Sequence, residues 1–298
     1  MSIKVQSLPL HSPREIERQR RFLAALLEEN QRLNLTAIRD PLDAWPLLIL
    51  DSLAVVPLLE RSCVSGSVGP PCAAGDAASG GDSRRYESNE SAVEATLRQL
   101  CPNRDREGAG TEKHPSENRA PSSSPAPLRS RFGQADQPEV ARAGSGIPAR
   151  LLDLGAGGGV PGIPIAIELP GIRVTLLDAT RKKIDATRRI VAALGIENVE
   201  CIWGRAEEMA RAAPLSRAFD AVVARAVAPL AKLVAWAAPF LRAGGVLWAY
   251  KSIQAFEPEI NAAADAAARS AMRLTQVVRY ALPAPHGERV LVGYENIG

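Results

Sequence analysis

Residues 150–178 read RLLDLGAGGGVPGIPIAIELPGIRVTLLD, and this stretch decides the fold. An apolar run at residues 151–154 breaks into a cluster of glycines, a helical pattern follows, and a second apolar run at residues 174–177 ends at Asp178. The order of strand, glycine loop, helix, strand and acid is typical of one half of a doubly wound α/β fold. We therefore expect a nucleoside to bind at the carboxyl ends of the two strands, where Asp178 can accept hydrogen bonds from a ribose.

Two classes of ligand suit the glycine loop. Read as G-x-G-x-x-G on Gly157, Gly159 and Gly162, the loop suits the pyrophosphate of a dinucleotide. Read as D-x-G-x-G on Asp153, Gly155 and Gly157, it suits S-adenosylmethionine, whose cationic amino and sulfonium groups favour an acid at the end of the strand. The position of Asp153 favours the methyl donor, and the rest of the chain has to decide between the two.

Length and composition bound the possible classes of protein. The 298 residues allow one large or two small domains, and the net charge of +3 is too small to indicate a nucleic-acid binder by itself. The four cysteines show no C-x-x-C spacing, so neither a metal site nor a disulfide framework is indicated. Neither a signal-peptide pattern nor a run of 18 uncharged apolar residues is found, so we expect a cytoplasmic protein that does not enter a membrane.

The chain divides into three segments. Within residues 1–60, Ser12-Pro13-Arg14-Glu15 predicts the start of a helix that runs to about residue 34, and residues 41–60 predict a second, buried helix. We expect this N-terminal helical part to pack on the sheet. Residues 61–149 are rich in Ser, Gly, Pro and mixed charge, which predicts a disordered low-complexity insertion, because such a segment cannot bury enough apolar surface to offset the entropy of ordering. Residues 150–298 form the α/β domain.

Strand and helix patterns alternate after Asp178, which predicts a mostly parallel sheet. The predicted strands cover residues 199–203, 221–223 and 246–250, and the predicted helices cover residues 181–194, 230–241 and 261–273. Gly244-Gly245 is expected to end the second of these helices. The final segment, RYALPAPHGERVLVGYE, reads as two strands around a Pro-His-Gly turn. Such an antiparallel terminal hairpin is present in class I methyltransferase sheets and usually absent from dehydrogenase Rossmann folds.

Several motifs together resemble the bacterial RsmG family, also called GidB. They are LLDLGAGGGVPGIPIAI, LLDATRKKI, WGRAEEM, FDAVVARAVAPL and the terminal GERVLV, preceded by Asn34-Leu35-Thr36 and Asp51-Ser52. The resemblance covers residues 12–60 and 150–298. It implies a class I (Rossmann-like) fold, S-adenosylmethionine as the cofactor, and methylation of N7 of one guanine in 16S rRNA, with the 16S rRNA or the small ribosomal subunit as the partner and the chain acting as a monomer.

The resemblance also implies a set of cofactor contacts in the loop, at the ribose, beside the adenine and near the methionine end. They are Gly155, Gly157, Val160, Asp178, Ala206, Glu207 and Arg225. Because guanine N7 has an in-plane lone pair and no proton to lose, methyl transfer to it requires neither a general acid nor a general base. Catalysis then depends on position and orientation, for which Asn34, Arg225 and Lys251 are the candidate residues. Residues 181–183, Arg-Lys-Lys, are candidates for contact with phosphate.

The chain departs from the family pattern at two positions. Leu47-Leu48 stands where the family usually has an Arg-His pair, and Lys251-Ser252 stands where a Lys-Gly pair is common. Three other functions therefore stay open: a methyltransferase for another RNA or a small molecule, an NAD-dependent oxidoreductase, and an RNA-binding protein without catalytic activity. Binding of NAD in preference to S-adenosylmethionine would indicate the oxidoreductase, and RNA binding without methyl transfer would indicate the third function.

Overall fold

The computed structural model describes residues 12–61, 150–212 and 214–298. Apart from Arg61, the predicted insertion at residues 61–149 lies outside the described residues, so its disorder stays a prediction. The described residues form one compact unit in which helices cover both faces of a single sheet.

Within the described residues, seven strands form a mixed sheet in the order β3-β2-β1-β4-β5-β7-β6. They are β1 (Arg150–Leu154), β2 (Arg173–Asp178), β3 (Val199–Trp203), β4 (Phe219–Arg225), β5 (Leu241–Ser252), β6 (Met272–Ala281) and β7 (Glu288–Asn296). Strands β1 to β5 are parallel to one another, while β7 lies antiparallel between β5 and β6. The predicted parallel sheet with an antiparallel terminal hairpin is therefore confirmed.

Helix α1 (Pro13–Asn30) begins as predicted at Ser12, whose hydroxyl accepts a hydrogen bond from the Glu15 N–H. It ends at Asn30, four residues before the predicted end. The reason is the Asn30 side chain, whose Oδ1 accepts hydrogen bonds from the N–H groups of Leu35 and Thr36 at 2.8 and 3.0 Å. These bonds turn the chain away from the helix axis.

The predicted helix over residues 41–60 is divided into α2 (Pro41–Ala44), a π-helix (Trp45–Leu50), α3 (Asp51–Leu53) and α4 (Val56–Arg61). Pro46 has no N–H to donate to the preceding turn, and the Asp51 N–H donates to the Pro46 carbonyl one residue further back than in an α-helix. By length and composition residues Pro41–Glu60 could cross a membrane, yet 72% of the segment is buried within the fold.

The described helices of the α/β domain are α5 (Gly162–Glu168), α6 (Arg181–Ala193), α7 (Ala206–Met209), α8 (Leu230–Ala237) and α9 (Phe256–Arg269). Helix α1 packs on α5 and α6, and α3 packs on α5. Helices α8 and α9 pack on each other, and their buried side chains join Leu152, Val222 and Leu247 in one apolar core.

In the α/β domain, two further predicted helix ends are wrong. After α8 a short 3-10 turn (Ala238–Phe240) leads directly into β5, so Gly244-Gly245 lies inside the strand, beside a bulge in its pairing with β4. Helix α9 begins at Phe256 and ends at Arg269, and Arg273 belongs to β6. Two residues after α9 ends, Ala271 has a positive φ of 52°. Alanine rarely adopts this conformation, so the sequence does not predict a helix end here.

Candidate functional site

The glycine loop joins β1 to α5 at the carboxyl edge of the sheet. The N–H groups of Gly155 and Ala156 donate to the Leu177 carbonyl at 2.8 and 3.1 Å, which ties the loop to the end of β2. Gly155 has a φ of +78°, in the left-handed region that favours glycine. Because open α/β sheets bind their ligands at this edge, the loop forms the floor of the candidate site.

Helix α1 and the turn after it approach the same loop. A Cβ atom on Gly158 would lie 2.6 Å from Leu26 Cδ1 and 3.2 Å from Leu35 Cβ, so a larger residue could not be accommodated without movement of α1 or of the turn. The predicted positioning residue Asn34 precedes Leu35 in this turn. Its side chain is exposed and accepts a hydrogen bond from Arg39 Nη2 at 2.8 Å. The fold therefore brings the turn that carries Asn34 to the edge of the site.

Asp178 closes the second strand with both carboxylate oxygens engaged. Its Oδ2 accepts a hydrogen bond from the Gly157 N–H at 2.9 Å, and its Oδ1 accepts one from the Thr180 N–H at 2.7 Å. A carboxylate oxygen can accept two hydrogen bonds, so each one keeps capacity for a ligand hydroxyl. The predicted residues Gly157 and Asp178 are thus in direct contact, and the carboxylate is fixed where a ribose diol could bind.

Asp153 is fully buried beneath the loop. Its Oδ2 accepts a hydrogen bond from the Gly162 N–H at 2.7 Å, while its Oδ1 has no hydrogen-bond partner among the described residues. Burial raises the pKa of Asp153 to about 7, against a lowering by the Gly162 hydrogen bond and by the nearby Arg225 charge. Because Oδ1 has no partner, a cation bound close to this buried carboxyl would stabilise its ionised form and lower its pKa.

Replacing Asp153 by asparagine is expected to remove a pH dependence of stability. In the unfolded chain the carboxyl ionises near its ordinary pKa of about 4, whereas in the folded protein burial raises that pKa to about 7. With a raised folded pKa, the stabilisation is complete below the unfolded pKa and is lost as the pH rises through 7. The free energy of unfolding of the wild type, relative to Asp153→Asn, then falls by about 2 kcal/mol between pH 5 and 7.

Urea unfolding of both proteins across that pH range measures this difference. Asparagine has the same shape and can still accept the Gly162 hydrogen bond, so the comparison isolates the charge. A difference between the two proteins that stays constant with pH would contradict the assigned ionisation of Asp153.

The other predicted contacts lie at the same edge of the sheet. Val160 is buried within the loop, and its N–H donates to the Ala156 carbonyl at 3.2 Å. Ala206 and Glu207 begin α7, directly after β3, whose last residue pairs with Asp178 in the sheet. Ala206 is half-buried and Glu207 is exposed. These three residues stay predicted ligand contacts. Ala206 and Glu207 lie near Asp178 because β2 and β3 are neighbours in the sheet.

Arg225 lies at the end of β4 and reaches the N-terminal helices. Its Nη1 donates to the Leu47 carbonyl at 2.5 Å and to Asp51 Oδ2 at 2.9 Å. The side chain is 15% exposed. Arginine has five N–H donors, and no partner for those on Nε and Nη2 is recorded among the described residues. Arg225 is therefore held on one side and keeps three donors for a ligand.

The candidate positioning residue Lys251 lies at the end of β5 and is bound to two neighbours; its role stays a prediction. Its Nζ donates to the Ala228 carbonyl at 2.9 Å and forms an ion pair with Glu259 at 2.6 Å, and the side chain is 10% exposed. The Glu259 carboxylate also accepts the Leu230 N–H, at the start of α8. Lys251 thus joins β5 to α9 and to the chain before α8, and two of its three N–H donors have partners.

The three basic residues at the start of α6 differ in their surroundings. Arg181 lies over the Trp203 ring, 5.5 Å from its centre, and pairs with Asp185 at 3.7 Å. Lys182 is exposed and Lys183 is half-buried, and no ion pair of either is recorded among the described residues. Lys182 is thus the most accessible of the three for contact with phosphate.

Sequence reasoning missed the residues that hold Arg225. Asp51 accepts a hydrogen bond from the Tyr280 hydroxyl at 2.6 Å, and the next residue, Ser52, accepts one through its carbonyl from the Tyr250 hydroxyl at 2.7 Å. The sequence feature that could have indicated this contact is the polar Asp51-Ser52 pair within an otherwise apolar helical segment. A buried acid in such a helix requires a partner.

The departure from the family pattern at residues 47 and 48 leaves one backbone contact with Arg225 in place. Leu48 is completely buried, and Leu47 contributes its backbone carbonyl to Arg225. A backbone acceptor is present with any side chain at that position. The site therefore keeps this contact although the Arg-His pair is absent.

The order of the strands, the glycine loop and the acids at the ends of β1 and β2 define a class I methyltransferase fold. One similar solved structure, a predicted O-methyltransferase of Agrobacterium tumefaciens, has a TM-score of 0.40 and 22% sequence identity, and the match covers 50% of this chain and 74% of that chain.

The family model for GidB, rRNA small subunit methyltransferase G, matches residues 138–287, and the chain belongs to this family. The protein of Deinococcus radiodurans named Ribosomal RNA small subunit methyltransferase G is 42% identical over 147 residues, which are 49% of this chain and 58% of that protein. The protein of the same name from Sorangium cellulosum is 30% identical over 236 residues, which are 79% of this chain and 64% of that protein. The chain thus matches less than two thirds of the length of either relative. The predicted family is confirmed.

Proposed function

We propose that this chain transfers a methyl group from S-adenosylmethionine to N7 of a guanine in small-subunit ribosomal RNA. Membership of the GidB family supports the reaction and the RNA, because its matched relatives are named as small-subunit rRNA methyltransferases. The observation that carries the proposal in the structure is the pair of acids at the glycine loop, Asp153 and Asp178, each bonded to a loop N–H.

This pair of acids favours S-adenosylmethionine over a dinucleotide. A pyrophosphate in a Rossmann fold binds at the N-terminus of the helix after the glycine loop, where free N–H groups and the helix dipole attract an anion. Here the first N–H of α5, that of Gly162, is already bonded to Asp153. An anion at this point would meet a carboxyl group instead of a free donor, whereas a cation would be attracted.

The residues fit the cofactor in three parts. Asp178 would accept hydrogen bonds from the ribose, the loop from Gly155 to Val160 would lie against the methionine part, and Ala206 with Glu207 would border the adenine. S-adenosylmethionine would supply a methyl group whose bond to sulfur breaks as the N7 lone pair forms the new N–C bond, leaving the neutral thioether S-adenosylhomocysteine. The chain needs no base for this reaction, and its contribution is to bind, to orient and to exclude water.

The proposal predicts transfer of labelled methyl from S-adenosylmethionine to small ribosomal subunits or their RNA. Subunits should come from cells that lack the corresponding gene, so that the target guanine is unmethylated. Mass analysis of digested RNA should show N7-methylguanine at one site. At a cofactor concentration near the wild-type Kd, the Asp178→Ala protein should give far less product than the wild type, while Asp265→Ala, which changes an exposed acid on α9, should act as the wild type.

Other results would identify the alternatives. Transfer to a different RNA, or only to a small molecule, would exclude the proposed substrate and keep the cofactor. Affinity for NAD without affinity for S-adenosylmethionine would exclude the reaction altogether. Binding of small-subunit RNA with no methyl transfer under any condition would indicate an RNA-binding protein.

A further inference from the structure

Trp203, the last residue of β3, presents an aromatic ring at the surface. The residue is 48% exposed. Its indole N–H donates to the Ala179 carbonyl at 3.0 Å, and the Arg181 guanidinium carbon lies 5.5 Å from the centre of the ring. These two contacts fix the orientation of the ring. The protein therefore loses little side-chain entropy when a planar ligand stacks on the exposed part.

The ring lies beside the acid that is predicted to bind the ribose. Trp203 pairs with Asp178 in the register of β3 and β2, and the Gly204 N–H donates to the Asp178 carbonyl at 3.1 Å. Neighbouring strands of a sheet lie about 4.8 Å apart. Because β3 is the edge strand, Trp203 stands at the rim of the candidate site, one strand outside Asp178.

Basic groups lie on the α6 side of the ring. The side chains of Arg181 and Lys182 are both exposed, and no ion pair of Lys182 is recorded among the described residues. Asp185, which lies 3.7 Å from Arg181, is bound more closely to Arg188, at 2.7 Å. The exposed acids at residues 207–208 begin α7 instead. An anion beside the ring would therefore be attracted to the start of α6.

We propose that Trp203, Arg181 and Lys182 form a platform on which one unpaired base of the substrate RNA stacks, while a phosphate of that nucleotide contacts the two cations. The inference rests on the proposed function, because it takes RNA as the substrate. Proteins bind single-stranded nucleic acid by these two interactions, stacking of bases on aromatic rings and contact of phosphates with basic side chains. Both are offered here at one place.

The stacked base is a neighbour of the target guanine. Arg225, the predicted contact at the methionine end of the cofactor, ends β4, which lies three strands from β3. At about 4.8 Å for each strand, the ends of β3 and β4 are about 14 Å apart. One base cannot span this distance, so the guanine at the methionine end leaves the ring to a flanking nucleotide. The platform thus acts in RNA binding and leaves the methyl transfer step unchanged.

Two substitutions of Trp203 separate stacking from its other contacts. Trp203→Leu and Trp203→Phe both lose the indole N–H and its bond to Ala179, but only phenylalanine keeps an aromatic face. Loss of one stacked base lowers affinity about 10-fold. We expect Trp203→Leu to bind small-subunit RNA about 10-fold more weakly and to raise its KM by a similar factor at nearly unchanged kcat. Trp203→Phe should stay within about 3-fold of the wild type.

Tryptophan fluorescence gives a direct signal of stacking. Of the four tryptophans, Trp45 and Trp248 are buried and Trp236 is half-buried, so Trp203 is the most accessible. Deproteinised small-subunit RNA, from cells that lack the corresponding gene, should quench the emission of the wild type. The quenched component should be absent from Trp203→Phe. If saturating RNA leaves the wild-type emission unchanged, no base stacks on Trp203 and the inference is wrong.

Matched controls lie elsewhere on the sheet. Leu274 is another exposed apolar residue, on β6 at the opposite edge, and Leu274→Ala should leave RNA affinity unchanged. Lys182→Gln should reduce the slope of log affinity against log salt concentration by about 1. Arg269→Gln, which removes an exposed charge at the end of α9, should not change that slope. Calorimetric titration should give the wild-type affinity for S-adenosylmethionine in every variant.

The outcomes separate this inference from the proposed function. If Trp203→Leu binds the RNA as the wild type does, the platform is wrong, while methyl transfer by the wild type still supports the proposed function. If Trp203→Leu weakens S-adenosylmethionine instead, the ring belongs to the cofactor site and the inference is wrong. A loss seen with whole small subunits but not with their RNA would indicate a protein contact and also overturn it.

Thermal unfolding shows whether each variant is folded. Should Trp203→Leu fail to fold, the quenching of the wild type and the salt slope of Lys182→Gln still decide. A slope equal to that of the wild type would remove the phosphate contact and with it the platform.

Discussion

Asp178→Ala is expected to lower the affinity for S-adenosylmethionine about 100-fold, which corresponds to about 2.7 kcal/mol. Hydrogen bonds to a charged group contribute about 1.5–3 kcal/mol each, and the ribose diol can make two with this carboxylate. Alanine also releases the Gly157 N–H, which Asp178 Oδ2 now accepts at 2.9 Å, so the loop loses an anchor. Calorimetric titration of the cofactor measures the loss.

The matched control is Asp265→Ala, which removes a carboxylate from the exposed face of α9. It should bind the cofactor as the wild type does. Thermal unfolding of both variants distinguishes a loss of contact from a loss of fold, since Asp178 lies at the partly exposed end of its strand. A Kd for Asp178→Ala within a factor of about three of the wild type would rule out Asp178 as the ribose acceptor.

Gly155→Val is expected to abolish cofactor binding and to destabilise the protein by about 2–5 kcal/mol, as the sum of left-handed backbone strain and overpacking. A Cβ atom at this position would lie 2.5 Å from Val227 Cγ2 and 2.7 Å from Val227 Cγ1, and the backbone φ is +78°. Val227 follows β4 closely, so relief of the contact would move the chain beside Arg225. Urea unfolding and cofactor titration measure the two effects.

Gly171→Val provides the control for this substitution. A Cβ atom on Gly171 would meet nothing within 4 Å, and its φ lies outside the left-handed region. The control should therefore unfold within about 0.5 kcal/mol of the wild type, as exposed substitutions generally do. If Gly155→Val binds the cofactor with unchanged affinity, the loop does not form the floor of the site.

Local patterns in the sequence predicted the parts of the fold that depend on local structure. The strand, glycine loop and helix after Arg150 follow from apolar runs and backbone-permissive residues, and the terminal hairpin follows from its Pro-His-Gly turn. The helix ends at Asn30 and Arg269 were not predictable, because the first depends on a side chain that folds back on the turn and the second is followed by a positive φ at Ala271.

The candidate site was predictable only where its residues are close in sequence. Gly157 and Asp178 belong to one strand-loop-helix-strand unit, and the spacing of its motif predicts that the two residues lie close together. The contact between Asp51 and Arg225 joins residues 174 positions apart, and no pattern in either segment encodes it. Lys251 lies where the sequence predicts a site residue, yet its ion pair with Glu259 depends on the position of α9 beside the end of β5, which no local pattern indicates.

The hydrogen bonds from Arg225 to the N-terminal segment have a consequence for how the molecule folds. Both acceptors of its Nη1 group, the Leu47 carbonyl and the Asp51 carboxylate, come from the segment before residue 61, while the cation itself comes from β4. A fragment that starts at residue 150 would lack both acceptors, and it would expose the surfaces of α5 and α6 on which α1 and α3 now pack. We therefore expect the α/β part and the N-terminal helices to unfold together in one transition.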